Sequence, residues 1–83
     1  MVQEAPEKKY RLRYMRFPYS GSPEEEIIRE FFIEDIEEVK EMATQEVIAE
    51  ENKGFVVKNA LLEKLLTPKG WKQIAKMDRV PSW

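Results

Sequence analysis

Apolar and basic positions alternate near the start of the chain: Tyr10, Leu12 and Tyr14 are interleaved with Lys9, Arg11 and Arg13. A period of two with aromatic residues predicts a strand whose two faces differ in character. The alternation slips after Met15, since Phe17 is odd-numbered, and Pro18 removes a ladder donor and ends the strand. "PYSGSP", residues 18–23, reads as a turn or loop.

The following stretch, "SPEEEIIREFFIEDIEEVKEMATQEVIAEENKG", supports two patterns. Ser22, Pro23 and Glu25 match an N-cap, an N1 proline and a capping-box acid, which would open one long helix striped by Ile27, Ile28, Phe31, Phe32, Ile36, Val39, Met42, Ala43 and Val47. Against this, Asp35 and Glu38 form a second capping box, "FFI" is a compact β-prone run, and the first strand needs a partner for its backbone groups. The balance favours a second strand over 27–34 and a helix over 36–52, with Val39, Ala43 and Val47 on its inner face and Gly54 closing it. "FVVK", residues 55–58, continues as a strand. "NALLEKLL" fits either a helical turn or more strand. Thr67 and Pro68, as N-cap and N1, predict a final helix with Trp71, Ile74 and Ala75 on one face.

The expected order is therefore β-β-α-β-α, an α+β domain in which one main helix covers a small antiparallel sheet. A mostly helical or winged-helix-like chain is the alternative. Residues 1–8 are expected as a disordered tail, 9–78 as the compact domain and 79–83 as a second tail. The expected core is Tyr10, Leu12, Tyr14, Phe31, Ile33, Ile36, Val39, Ala43, Val47, Phe55, Val57 and Trp71.

Composition narrows the chemistry. Eighty-three residues make one small domain with a limited core. With no cysteine and no histidine there is no disulfide and no ordinary transition-metal ligand set, so neither metal nor cofactor is expected. No histidine is present to activate Ser20, Ser22, Thr44 or Thr67, and the three glycines are too scattered for a phosphate loop. An enzyme is not expected. No apolar run approaches the ~18 residues of a membrane span, and "MVQEAPEKK" lacks the apolar region of a secretory signal; a soluble cytoplasmic protein is the expectation. Abundant Glu and Lys with few Asn, Gln, Cys and His give a thermophile-like balance.

The net charge of −2 hides segregation. Residues 8–21, "KKYRLRYMRFPYSG", carry five basic residues, no acid and four aromatics; residues 22–51 hold twelve acids against Arg29 and Lys40; residues 52–83 hold seven basic residues against Glu63 and Asp78. Such a chain can neutralise itself by folding its ends over its middle, or show charged faces to partners. Because aromatic and basic residues alternate, Arg11 and Arg13 are expected to face solvent away from the aromatic side chains, unlike a stacking platform for nucleic acid. Glu37, Glu38, Glu41 and Glu46 are expected on a solvated helix face.

"ENKGFVVK…LLTPKGWKQIAKM", residues 51–77, resembles the back end of a winged-helix domain. The resemblance implies a helix ending at Gly54, a strand over 55–58, a wing over 59–64 and a closing helix begun by the "LTPKG" of residues 66–70. It would bring nucleic-acid binding as an expectation.

Two functional classes follow. The first is a non-enzymatic protein-interaction module, a small accessory subunit of a larger assembly or a homo-oligomer. Its expected partner-binding residues are Arg11, Arg13, Arg16, Tyr19, Trp71 and Trp83, with the first strand at an exposed sheet edge. The second is a nucleic-acid-associated protein using Arg11, Arg13, Arg16, Lys69, Lys72 and Lys76. No membrane partner is expected.

Overall fold

A computed structural model describes residues 10–83 apart from 22, 67 and 68. The expected 1–8 tail, Lys9 and the proposed caps Ser22, Thr67 and Pro68 lie outside the described residues. The elements are β1 (Tyr10–Pro18), β2 (Glu25–Phe31), α1 (Ile36–Asn52), β3 (Phe55–Leu66) and β4 (Gly70–Lys76). All strand pairings are antiparallel, in the order β2-β1-β3-β4. Among the described residues the fold is α+β: one four-stranded sheet with one helix packed on it.

The helix forms where its pattern indicates. Asp35 is the N-cap, its carboxylate accepting from the N–H of Glu37 at 3.0 Å, and Gly54 follows the helix at φ 94°. Val39, Ala43 and Val47 are fully buried against Tyr10, Leu12 and Tyr14 of β1 and Val57, Ala60 and Leu62 of β3. Phe31 and Met77 complete the core, while Ile33 and Ile36 are partly buried against it. Ala60, Leu62 and Met77 join the expected core. Phe55 and Trp71 are only half-buried.

Two expectations about elements are corrected. The final helix is the strand β4, paired with β3 from Leu61↔Lys76 to Leu66↔Gly70. The register shifts between Leu62 and Glu63, whose partners are Ala75 and Gln73, so β4 carries Ile74 as an extra residue. That bulge lets the adjacent Ile74 and Ala75 both pack on the core side, which breaks the strand alternation in the sequence, while Trp71 lies on the other face. The wing expected over 59–64 lies inside β3, and the closing helix expected from 66–70 is replaced by β4, so among the described residues the winged-helix pattern is not present. β1, expected at an edge, lies between β2 and β3. Its backbone groups are engaged on both sides, so it offers no edge to a partner strand.

Candidate interaction surface

Strand alternation and the pairing registers divide the sheet into two faces. Tyr10, Leu12, Tyr14 and Arg16 of β1 face the helix, opposite Phe31, Arg29, Ile27 and Glu25 of β2. Arg11, Arg13, Met15 and Phe17 face the other way, among Glu26 and Ile28 of β2, Val56, Lys58, Leu61, Glu63 and Leu65 of β3, and Trp71 and Gln73 of β4. Among the described residues no helix covers this second face. Its apolar side chains are half-buried, and Ile28 is 43% exposed.

The arginines of the open face are not solitary. Arg11 donates to Glu63 at 2.5 Å, and its guanidinium lies 4.3 Å from the centre of the Trp71 ring. Arg13 bridges Glu26 at 2.8 Å and, more loosely, Glu63 at 3.4 Å. Lys58 pairs with Glu24 and sits 5.6 Å from the Phe17 ring. The expectation that Arg11 lies apart from aromatic rings is corrected: β4 brings Trp71 beside it through the strand that separates them. A cation–π contact of this kind contributes about 0.5–1 kcal/mol at an exposed site. The acids neutralise the arginine charges, so the face is a mixed ionic and apolar surface.

Arg16 turns the other way. It donates to Glu50 at 2.5 Å and to Glu25 at 2.7 Å, and covers the Phe55 ring at 4.3 Å. Glu50 is 1% exposed and also accepts from the Tyr14 hydroxyl at 2.6 Å. Burial pushes the Glu50 carboxyl up, but the hydrogen bonds from Tyr14 and Arg16 and the Arg16 charge outweigh it, so its pKa lies below the ordinary carboxylate range. Burial, with the hydrogen bond to the Glu50 carboxylate, holds the Tyr14 hydroxyl well above the usual tyrosine value. Glu50 escaped the sequence reading although its spacing from Val39, Ala43 and Val47 places it on the inner stripe.

Trp83 lies on its own domain. Its indole N–H is within hydrogen-bonding distance of the Lys40 carbonyl (3.2 Å) and the Thr44 hydroxyl (3.0 Å), and Val80 packs on the core beside it. The segment 79–83, expected as a tail, is thus anchored to α1. Tyr19 is 76% exposed, and Lys69, Lys72 and Lys76 are exposed at the β4 end of the sheet.

On the β2 side of α1 runs a groove of about 490 Å³, lined by Phe31, Glu38, Glu41, Met42, Gln45 and Glu46. Met42, expected beside the inner stripe, is 41% exposed here. The lining depends on β2 being an edge strand, a non-local fact without a local sequence signal. Among the described residues no group of three or more acidic side chains is placed to hold a metal ion, and no helix is long and apolar enough to cross a membrane. Comparisons with protein-family models, curated proteins and solved structures found no match to this chain.

Proposed function

We propose that the chain is a non-enzymatic protein-interaction module, a small accessory subunit that engages a protein partner or a second copy through the open face of its sheet. The observation that carries this reading is that face, uncovered among the described residues. Met15, Phe17, Ile28, Leu61, Leu65 and Trp71 form a half-exposed apolar field between fixed ion pairs. A sheet with apolar residues on both faces buries the second face only against another layer, and contiguous exposed apolar surface is typical of interaction sites. The Arg11–Trp71 stack gives that field an arginine and an aromatic ring of the kind enriched at interface hot spots.

The test is a pull-down from the native source with mass spectrometry, run beside sedimentation equilibrium of the purified chain. Wild-type protein should retain one stoichiometric protein or sediment as a discrete oligomer. The double variant Met15→Gln with Trp71→Ser should lose that association and still melt cooperatively. A wild-type chain that stays monomeric and retains nothing, or a variant that keeps the same partner, would sink the reading.

A nucleic-acid reading draws on the same Arg11–Trp71 stack and on the exposed Lys69, Lys72 and Lys76. It is the weaker one, because Glu63 and Glu26 already occupy the guanidinium groups that would meet phosphates.

A further inference from the structure

We propose that the free edge of β2, with the groove between it and α1, takes an extended cationic segment of another protein as a fifth strand. The open-face reading can fail without affecting this one, since the two surfaces lie on different parts of the sheet.

The two sheet edges differ. β2 pairs with β1 in unbroken register from Tyr10↔Phe31 to Arg16↔Glu25, contains no proline, and has no neighbouring strand on its other side among the described residues. In such an edge every second residue turns its N–H and C=O outward, ready to pair. β4 is a poorer template, because Ile74 interrupts its register.

The groove is where an added strand would send its inward side chains. A fifth strand lies about 4.8 Å beyond β2 and points alternate residues toward the helix layer. On that side Phe31, the last residue of β2, and Met42 of α1 form an apolar floor. Methionine adapts its shape to varied apolar side chains. Glu38, Glu41 and Glu46 form the rim; Glu46 is held by Arg29 at 3.2 Å, whereas Glu38 and Glu41 are exposed and have no ion-pair partner among the described residues. The matching segment is extended and alternating, with one apolar residue on Met42 and Phe31 and lysine or arginine residues reaching Glu38 and Glu41. Main-chain pairing supplies affinity in this mode, and the alternate side chains supply specificity.

A second copy of this chain is a poor occupant. Antiparallel pairing of β2 with itself would set two α1 helices side by side on one face of a continuous sheet. Each carries six acidic residues against Lys40. The acid-rich rims would face each other across the joint.

The test uses the full chain and a nine-residue peptide of alternating valine and lysine, blocked at both ends. Titration calorimetry at low salt should show one-to-one binding, and hydrogen exchange should show new protection of β2 amides. A valine–glutamate peptide should not bind. The double variant Glu41→Lys with Met42→Lys, both at exposed positions, should weaken binding tenfold or more without shifting the melting temperature. N-methylating one of the two alternate sets of peptide amides should abolish binding, and the other set should be tolerated. The Met15→Gln, Trp71→Ser variant should bind the peptide as wild type does. No binding of the lysine peptide, equal binding of the glutamate peptide, indifference to both N-methyl sets, or protection confined to α1 would each overturn the proposal.

Discussion

Tyr14 donates its hydroxyl to Glu50 at 2.6 Å, tying the central strand of the sheet to the last turn of the helix. The same carboxylate oxygen accepts from Arg16 at 2.5 Å. One buried anion therefore holds two side chains that leave β1 on the same face. Pairing a buried carboxylate in this way costs desolvation of the ion, which the two donors offset. The arrangement fixes how α1 sits on β1 more than it adds net stability.

Removing one member should expose that balance. Glu50→Gln leaves Arg16 with Glu25 alone at its exposed end, and a cost of about 3–5 kcal/mol is expected for breaking a buried pair. The folded-state pKa of Glu50 is depressed, so its contribution is full above the unfolded carboxylate value of about 4.3 and disappears as pH falls through the folded value. Urea denaturation at pH 7 and at successive steps below pH 4 should show wild type and Glu50→Gln converging in acid. A gap that stays constant down to pH 2 would contradict the assignment.

Tyr14 predicts the opposite limb. Its folded pKa is raised, so the folded chain keeps the phenolic proton while the unfolded chain ionises near pH 10. Its stabilisation is full below that pH and is lost as pH rises toward the folded value. Tyr14→Phe should lose about 1–3 kcal/mol at pH 7 from the carboxylate left short of a donor. It should also flatten the alkaline decline in stability between pH 9 and 11. An unchanged alkaline slope in the variant would show that other groups control it.

The segment 79–83 should prove structural. Trp83→Ala removes a half-buried ring and its indole contacts to Lys40 and Thr44. The expected cost is about 1–3 kcal/mol, below that of a fully buried aromatic residue. Truncation after Asp78 also removes Val80 and should lower the melting temperature further. Thermal melts of the two variants would decide; a truncated chain as stable as wild type would mean that the contacts contribute nothing.

Local patterning carried most of this fold, and long-range pairing carried the rest. Asp35 as N-cap, the stripe of Val39, Ala43 and Val47, and the alternation of Tyr10, Leu12 and Tyr14 are all set by residues near in sequence, and they were legible. β4 was not legible, because the bulge at Ile74 puts the adjacent Ile74 and Ala75 on the same side and so breaks the period-two pattern of a strand. The candidate surface was legible residue by residue, since Arg11, Arg13 and Trp71 stand out by type. Their meeting depends on β4 lying beside β3, which no local pattern announces. Arg16 had a usable signal: it continues the even-numbered inward series of β1. Its charge argued for solvent, and only Glu50, 34 residues away, explains why it turns in.

Nucleic-acid binding should be weak, independent of sequence and steep in salt. Arg11, Arg13 and Arg16 are held by acids of the same domain, which leaves Lys69, Lys72 and Lys76 as the exposed cations at one end. Three phosphate contacts give a slope of about −3 in log affinity against log salt on duplex DNA. Labelled duplex and single strand titrated at two salt concentrations provide the measurement. Changing Lys72 and Lys76 to Glu should remove the residual binding. Affinity that persists at high salt and distinguishes sequences would promote nucleic acid to the principal ligand.

The bulge in β3 yields the sharpest test of the sheet. Arg13 pairs with Leu61 and Met15 with Lys58, so Asn59 and Ala60 together stand opposite Tyr14. Asn59 has φ 56°, the left-handed conformation that asparagine tolerates and β-branched residues resist. Asn59→Val should therefore cost about 1–2 kcal/mol, whereas Asn59→Gly should stay near wild type. Deleting Asn59 separates backbone strain from register. Val57 and Ala60 both face the helix, with Lys58 outward between them; without Asn59 they would alternate as a regular strand and keep their faces. Deletion should thus preserve a cooperative melt and lose only the extra twist that the bulge imposes. If the deletion unfolds the chain while Asn59→Val is silent, the residue is needed as an inserted link and not for its side chain, and the left-handed bulge described for β3 is wrong at that point.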